Sequence, residues 1–224
     1  FYYIKGGSET YLFELERELR LRNFNVYPFA MQHELNEKAV TSKYFVKKID
    51  YENSSFIEKA RLSAKIIFSR EAYKNLDSLL NDYNIDIAHL NIFQHQLSPS
   101  ILFPLKKRNI PVVYTVHDLK VMCPNYKMLS KGKVCEKCKA GRYYNALLNK
   151  CTKNSLLGSA VNMIEAYVHS FFKIYENYID LFITPSRFYK EKMIEWGFSE
   201  DKIVHIPNFV NPNKYVPNYR HDNY

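Results

Sequence analysis

Glycine is scarce in this 224-residue chain, with six in all, and the motifs built on it are missing: there is no Gly-x-Gly-x-x-Gly fingerprint and no Walker lysine loop. The usual dinucleotide and P-loop modes of phosphate binding are thereby excluded. No apolar run approaches the ~18 residues of a bilayer-crossing helix, and mean hydropathy is −0.38. The amino terminus, Phe1-Tyr2-Tyr3-Ile4-Lys5-Gly6-Gly7, lacks the basic start and apolar stretch of an export signal, so the expected location is cytoplasmic. Internal repeats and low-complexity tracts are also absent. What remains, 46% hydrophobic and 25% charged residues, is the balance of a folded protein with one large domain or two small ones.

Acidic residues are scarce in one place. Residues 103–153 hold twelve Lys/Arg against Asp118 and Glu136, a local balance of +10, whereas the whole chain carries +9 and the remainder therefore −1. An anionic partner should meet the protein there.

Strand-length apolar stretches alternate with amphipathic helices, the order that predicts an α/β fold: a Rossmann-like open parallel sheet with helices on both faces. A first helix is expected to about residue 22, capped by Ser8, with Glu9 at its positive end and Tyr11, Leu12, Leu15 and Leu19 as its stripe. Asn25 to Ala30 reads as a strand. Ser55 and Glu58 have capping-box spacing before a helical region to about 83. Strands follow at Ile85 to Leu90 and Pro111 to Val116, with a helix from Ser98 between them. Residues 119–153 read as irregular, 154–178 as helix, Leu181 to Thr184 as strand, Ser186 to about Trp196 as a helix stopped by Gly197, and Lys202 to Ile206 as the last strand.

Open parallel sheets bind ligands outside the carboxyl ends of their strands, which directs attention to three places. Gly6-Gly7-Ser8 precedes a helix amino terminus, where backbone N–H groups and the helix dipole favour an anion, although glycine pairs also serve plain turns. His117-Asp118 ends the surest strand and offers an imidazole and a carboxylate to a polar substrate, or else simply caps the strand. His89 reads as a core histidine, and His95, in the loop beyond, as the better ligand.

The four cysteines, Cys123, Cys135, Cys138 and Cys151, all lie in the basic segment, with Cys-x-x-Cys at its centre. In a chain of cytoplasmic character this suggests a structural zinc site of four thiolates; four unrelated thiols, or a redox pair at 135 and 138, are the alternatives. In the helix at 154–178, Leu156, Leu157, Val161, Ile164, Val168, Phe171 and Phe172 form a stripe expected to be mostly core. Its aromatic residues beside a basic loop also suit an anionic bilayer surface.

Several of these pieces resemble the amino-terminal domain of a family 4 glycosyltransferase of GT-B fold. They are the opening Gly6-Gly7-Ser8-Glu9, Asp86-Ile87-Ala88-His89-Leu90-Asn91, Ile110 to His117-Asp118, and Thr184-Pro185-Ser186 followed by Trp196-Gly197-Phe198 and Lys202 to Pro207-Asn208. The resemblance implies retaining sugar transfer from a nucleotide-diphosphate sugar to a glycan or lipid-linked acceptor, with no catalytic metal. It places Gly6, Gly7 and Ser8 near the donor diphosphate and His117 against the donor sugar, with Asp118 orienting the histidine or lining the acceptor side. Glu9, His95, Lys131 and Lys133 are the residues expected to meet the acceptor. The domain is expected to span 1–206, with 119–153 as a basic cysteine-containing insertion and 207–224 as the start of a linker to a donor-binding domain outside this sequence. The isolated chain is accordingly expected to be inactive. The rival readings are a zinc-stabilised nucleic-acid-binding module and a sugar-binding domain without catalysis. The first is disfavoured because no helix-turn-helix, homeodomain or zinc-finger pattern is present.

Overall fold

Val112-Val113-Tyr114-Thr115 can be buried on both faces, and that property fixes its place in the fold. The strands of the computed structural model are β1 (Ala88–Asn91), β2 (Val112–Thr115), the two-residue β3 (Leu129–Ser130) and β4 (Lys133–Val134), β5 (Leu181–Thr184) and β6 (Ile203–His205). β1, β2, β5 and β6 make one parallel sheet in that spatial order, and β3 and β4 form a separate antiparallel hairpin. Residues 1–48 and 56–210 are described. The helices that flank the sheet are α1 (Gly7–Leu21), α2 (Phe56–Ile67), α3 (Arg70–Asp82), α4 (Leu102–Lys107), α5 (Tyr144–Leu148), α6 (Leu156–Phe171), α7 (Ile174–Tyr178) and α8 (Arg187–Glu195). This is the Rossmann-like architecture expected.

The sheet starts where it can. Pro111 has no N–H to donate, so the β1–β2 ladder begins at Ala88 and Val112, and Ile87, expected within the strand, is exposed instead. Tyr114, Leu102, Ile179 and Phe182 are almost wholly buried in the main core, to which α3, α4, α7 and α8 all contribute. A smaller cluster of Tyr2, Ala30 and Phe45 lies under α1. The Tyr2 phenol donates to Glu16 Oε2 (2.8 Å) and its backbone N–H to Asn36 Oδ1 (3.0 Å), which fixes the chain just before Gly6.

Several expectations need correction. Asn25 to Ala30 is not a ladder strand: Pro28 removes a donor, and only one bridge, Met31 to Val46, forms nearby. Ser8 does not cap α1; Gly6 occupies that position, and no side chain caps the helix. The helical region to 83 is broken at Phe68-Ser69, because the Ser69 hydroxyl accepts from Ala72 N–H and starts α3 afresh. Ser55 of the expected capping box lies outside the described residues. The stretch at 154–178 is likewise two helices, parted by Lys173 in a left-handed conformation (φ 48°). Ser98, Ser186 and Gly197 mark boundaries as expected.

The largest reversal concerns α6. Its buried residues are Ser159, Asn162, Glu165 and His169, while Leu156, Leu157, Ile164 and Phe171 are exposed, Phe171 to 82%. Of the stripe expected as core, Val161 and Val168 are half-buried and the remaining residues face outward. The inward polar face carries a buried ion pair instead: Lys120 Nζ lies 2.6 Å from Glu165 Oε2 and donates also to the Pro124 carbonyl (2.9 Å). Breaking a buried pair by removing one partner typically costs ~3–5 kcal/mol, because the other charge is left uncompensated. Lys120→Met should therefore lower unfolding free energy in urea by about that much. Lys120→Met combined with Glu165→Leu should recover most of the loss; a single variant costing under ~1 kcal/mol would mean that the pair does not hold the fold.

Candidate functional site

The carboxyl ends of β1 and β2, the amino end of α1 and the segment after β6 meet at one edge of the sheet. Asn91, the last residue of β1, places its Oδ1 2.9 Å from His117 Nε2, and His117 follows β2 by two residues. With a carbonyl oxygen as partner, Nε2 carries the proton, and Nδ1 is left as an acceptor. The imidazole packs edge-on against Tyr11 of α1, ring centroids 5.0 Å apart, and Tyr11 in turn meets Phe209 at 5.5 Å. Burial holds His117 below the ordinary imidazole value of 6.5, and the Glu9 carboxylate opposes that shift, which places Glu9 within electrostatic reach.

Gly6 has an extended backbone (φ −164°) that any residue adopts, and a Cβ there would touch nothing closer than Glu9 Oε2 at 3.5 Å. A Cβ on Gly7 would have no neighbour within 4 Å. Neither strain nor internal packing demands glycine at these positions. The bare backbone instead leaves the uncapped first turn of a 15-residue helix open to approach from outside, and its N–H groups and dipole suit an anion. An uncapped helix amino terminus, a neutral imidazole with a free acceptor, and a carboxylate thus stand together.

Such a grouping fits binding of a polar, phosphorylated molecule. The family model for Glycosyltransferase Family 4 matches residues 5–214. The chain belongs to glycosyltransferase family 4. No curated protein matches it.

Within this glycosyltransferase domain the other expected site residues divide. Asp118 Oδ1 accepts from the Lys120 backbone N–H (3.0 Å), a local turn, so the bond that orients His117 comes from Asn91. Burial raises the Asp118 carboxyl above its usual range, opposed by Lys120. His95 stands near Lys120 and Glu165, and burial pushes its pKa down to about 4. Lys131 and Lys133 sit on the exposed β3–β4 hairpin, whose turn residues Lys131 (φ 52°) and Gly132 (φ 76°) are both left-handed. Nothing joins that hairpin to His117 directly. Cys123, Cys135, Cys138 and Cys151 are free thiols that line one cavity. His89 is the satisfied strand histidine expected, Nε2 lying 2.7 Å from Thr115 Oγ1.

Three contributors were not anticipated: Asn91, Tyr11 and Phe209. Asn91 carried a readable signal, a polar residue at the carboxyl end of a strand. Tyr11 and Phe209 carried none, since their apolar rings match the core pattern. Among the described residues no helix is long and apolar enough to cross a membrane.

Burial pushes the pKa of His89, like that of His95, from 6.5 to about 4, with His117 as a secondary cause. Both imidazoles are therefore neutral in the folded protein at pH 7. Because the unfolded chain binds protons first, their contribution to stability is complete above pH 6.5 and is lost as pH falls toward about 4. Denaturant unfolding across that range should show falling stability, with a shallower slope in His95→Gln. An identical slope in that variant would refute the assignment to His95.

Proposed function

We propose that this chain is the acceptor-side domain of a retaining glycosyltransferase that moves a hexose from a nucleotide-diphosphate sugar to a glycan or lipid-linked acceptor. The observation that carries this reading is the assembly of His117, Asn91, Glu9 and the open Gly6-Gly7 turn at the ligand-binding edge of a family 4 domain. The α1 amino terminus would stabilise the charge that develops on the departing diphosphate, acting through fixed donors rather than reorganising water. His117, its Nε2–H committed to Asn91, would accept a hydroxyl hydrogen of the donor sugar at Nδ1 and so fix the ring's orientation. Asp118 would line the acceptor side, and the nucleotide would be held chiefly by a second domain, without which this domain is inactive. No catalytic metal enters the scheme.

The exposed apolar face of α6 is flanked by exposed Lys150 and Lys153 before it and by Lys173 after it. An apolar strip with cationic flanks is complementary to an anionic bilayer, the surface on which a lipid-linked acceptor is presented. We accordingly assign this enzyme to the cytoplasmic side of a membrane, as a peripheral protein, with Lys131 and Lys133 on the acceptor approach.

In the full polypeptide, His117→Ala should reduce kcat by about 10²-fold or more, the scale of losing one positioned polar group at the reacting centre. Asn91→Ala should give a smaller loss of the same kind, and product stereochemistry by NMR should show retention. Unchanged turnover in His117→Ala would reject the site. In vesicle sedimentation, Phe171→Ser with Phe172→Ser should weaken binding to anionic vesicles at least about tenfold, since each buried aromatic ring is worth ~1.5–3 kcal/mol. Equal binding of the wild type to neutral and anionic vesicles would reject the electrostatic part of the proposal.

A further inference from the structure

The second half of the insertion has almost no core. Among residues 129–153 only Cys138 and Ala146 are buried, and the rest is a two-residue hairpin, single helical turns and loop. Several of its non-glycine residues, among them Lys131, Ala140, Lys150 and Lys153, take left-handed backbone conformations. Such positions each cost of order 1 kcal/mol or more and persist only where the surroundings over-determine them. Partly exposed ion pairs to α8, Lys192 with Glu136 (2.8 Å) and Lys139 with Glu195 (3.8 Å), contribute little each.

All four cysteines of the chain converge within this weakly cored segment. Cys123 comes from the turn after β2, Cys135 from the end of the hairpin, Cys138 from the turn that follows, and Cys151 from the loop after α5, yet all four line a single cavity of about 10 Å³. That space holds one water-sized body, which suits a single ion and is too small for a multi-iron cluster. The thiols are unpaired. Among the described residues no three His, Cys, Asp or Glu side chains stand in ligating geometry. Turning the thiols inward about their Cα–Cβ bonds is the rearrangement that an ion would impose.

We infer that Cys123, Cys135, Cys138 and Cys151 bind one zinc ion as a closed four-thiolate site that folds the insertion. Four thiols release four protons, and the resulting Zn(Cys)₄ centre carries two negative charges. The local balance of +10 offsets that charge, with Lys120 beside Cys123 and Lys137 beside Cys151. The site is structural, because all four positions are filled by protein and none is left for substrate. It stands independently of the transfer reaction.

The test is zinc content of the full polypeptide, expressed with zinc in the medium and purified under reducing conditions without chelator. About one zinc per chain is expected, with release of that zinc on alkylation of four thiols and a tetrahedral thiolate spectrum on replacement by cobalt(II). Cys135→Ser and Cys138→Ser should each hold less than about half the wild-type zinc. If these variants fail to fold, the alkylation stoichiometry and cobalt spectrum of the wild type still decide. Zinc well below one per chain, release with fewer than four thiols modified, or disulfides in the freshly purified protein would overturn the inference.

Discussion

The buried pair of Lys120 and Glu165 is the constraint around which the functional half of the molecule is arranged. Their side chains are 4% and 1% exposed, so neither charge can be left alone. Glu165 lies on α6, and Lys120 lies three residues beyond His117. Bringing them together fixes the end of β2 against a helix that is remote in sequence. His169 extends the same arrangement: its Nδ1 is 3.9 Å from Glu165 Oε1, and its Nε2 meets the Ile67 carbonyl at 3.1 Å, tying α6 to the end of α2. Burial keeps His169 below its ordinary pKa despite the neighbouring carboxylate.

From this follows the reversed helix. An amphipathic helix has one face for the core, and in α6 the polar face is committed inward by Lys120, Ile67 and Thr152, whose hydroxyl accepts from Asn162 Nδ2 at 2.8 Å. The apolar residues are turned outward as a geometric consequence. Phe171 and Phe172 are thereby exposed side by side at the end of the helix, 82% and 61%.

Much of the fold was legible in the sequence for reasons that differ by element. β2 and β5 could be read because both are short apolar runs with clear ends, and α8 because Ser186 and Gly197 punctuate it. Asn25 to Ala30 could not, since composition suited a strand while Pro28 prevented the ladder. α6 misled because periodicity reports that two faces differ and is silent on which one is inside. The polar stripe of Ser159, Asn162, Glu165 and His169 was equally periodic, and only the position of Lys120 in space decides between them. At the site, the glycine turn was visible as a pair before a helix and His117 as a residue after a strand. The histidine's partner was not, because Asn91 lies 26 positions away and is joined to it only through the parallel pairing of β1 with β2.

The insertion and the sheet edge are connected through few atoms, which makes the link mechanically specific. Asn125 accepts from Cys123 Sγ (3.1 Å) and the Lys127 N–H (3.1 Å), and donates to the carbonyls of Leu129 (3.1 Å) and Cys151 (3.4 Å), closing the two ends of the insertion on one amide. Pro124, beside it, supplies the carbonyl that Lys120 also holds. The path from the cysteine cavity to His117 therefore runs through Asn125, Pro124 and Lys120, all buried or nearly so. Side chains packed in that way have little freedom to move independently of one another. An insertion this long and this poorly cored is thereby tied at both ends to the buried segment that follows β2.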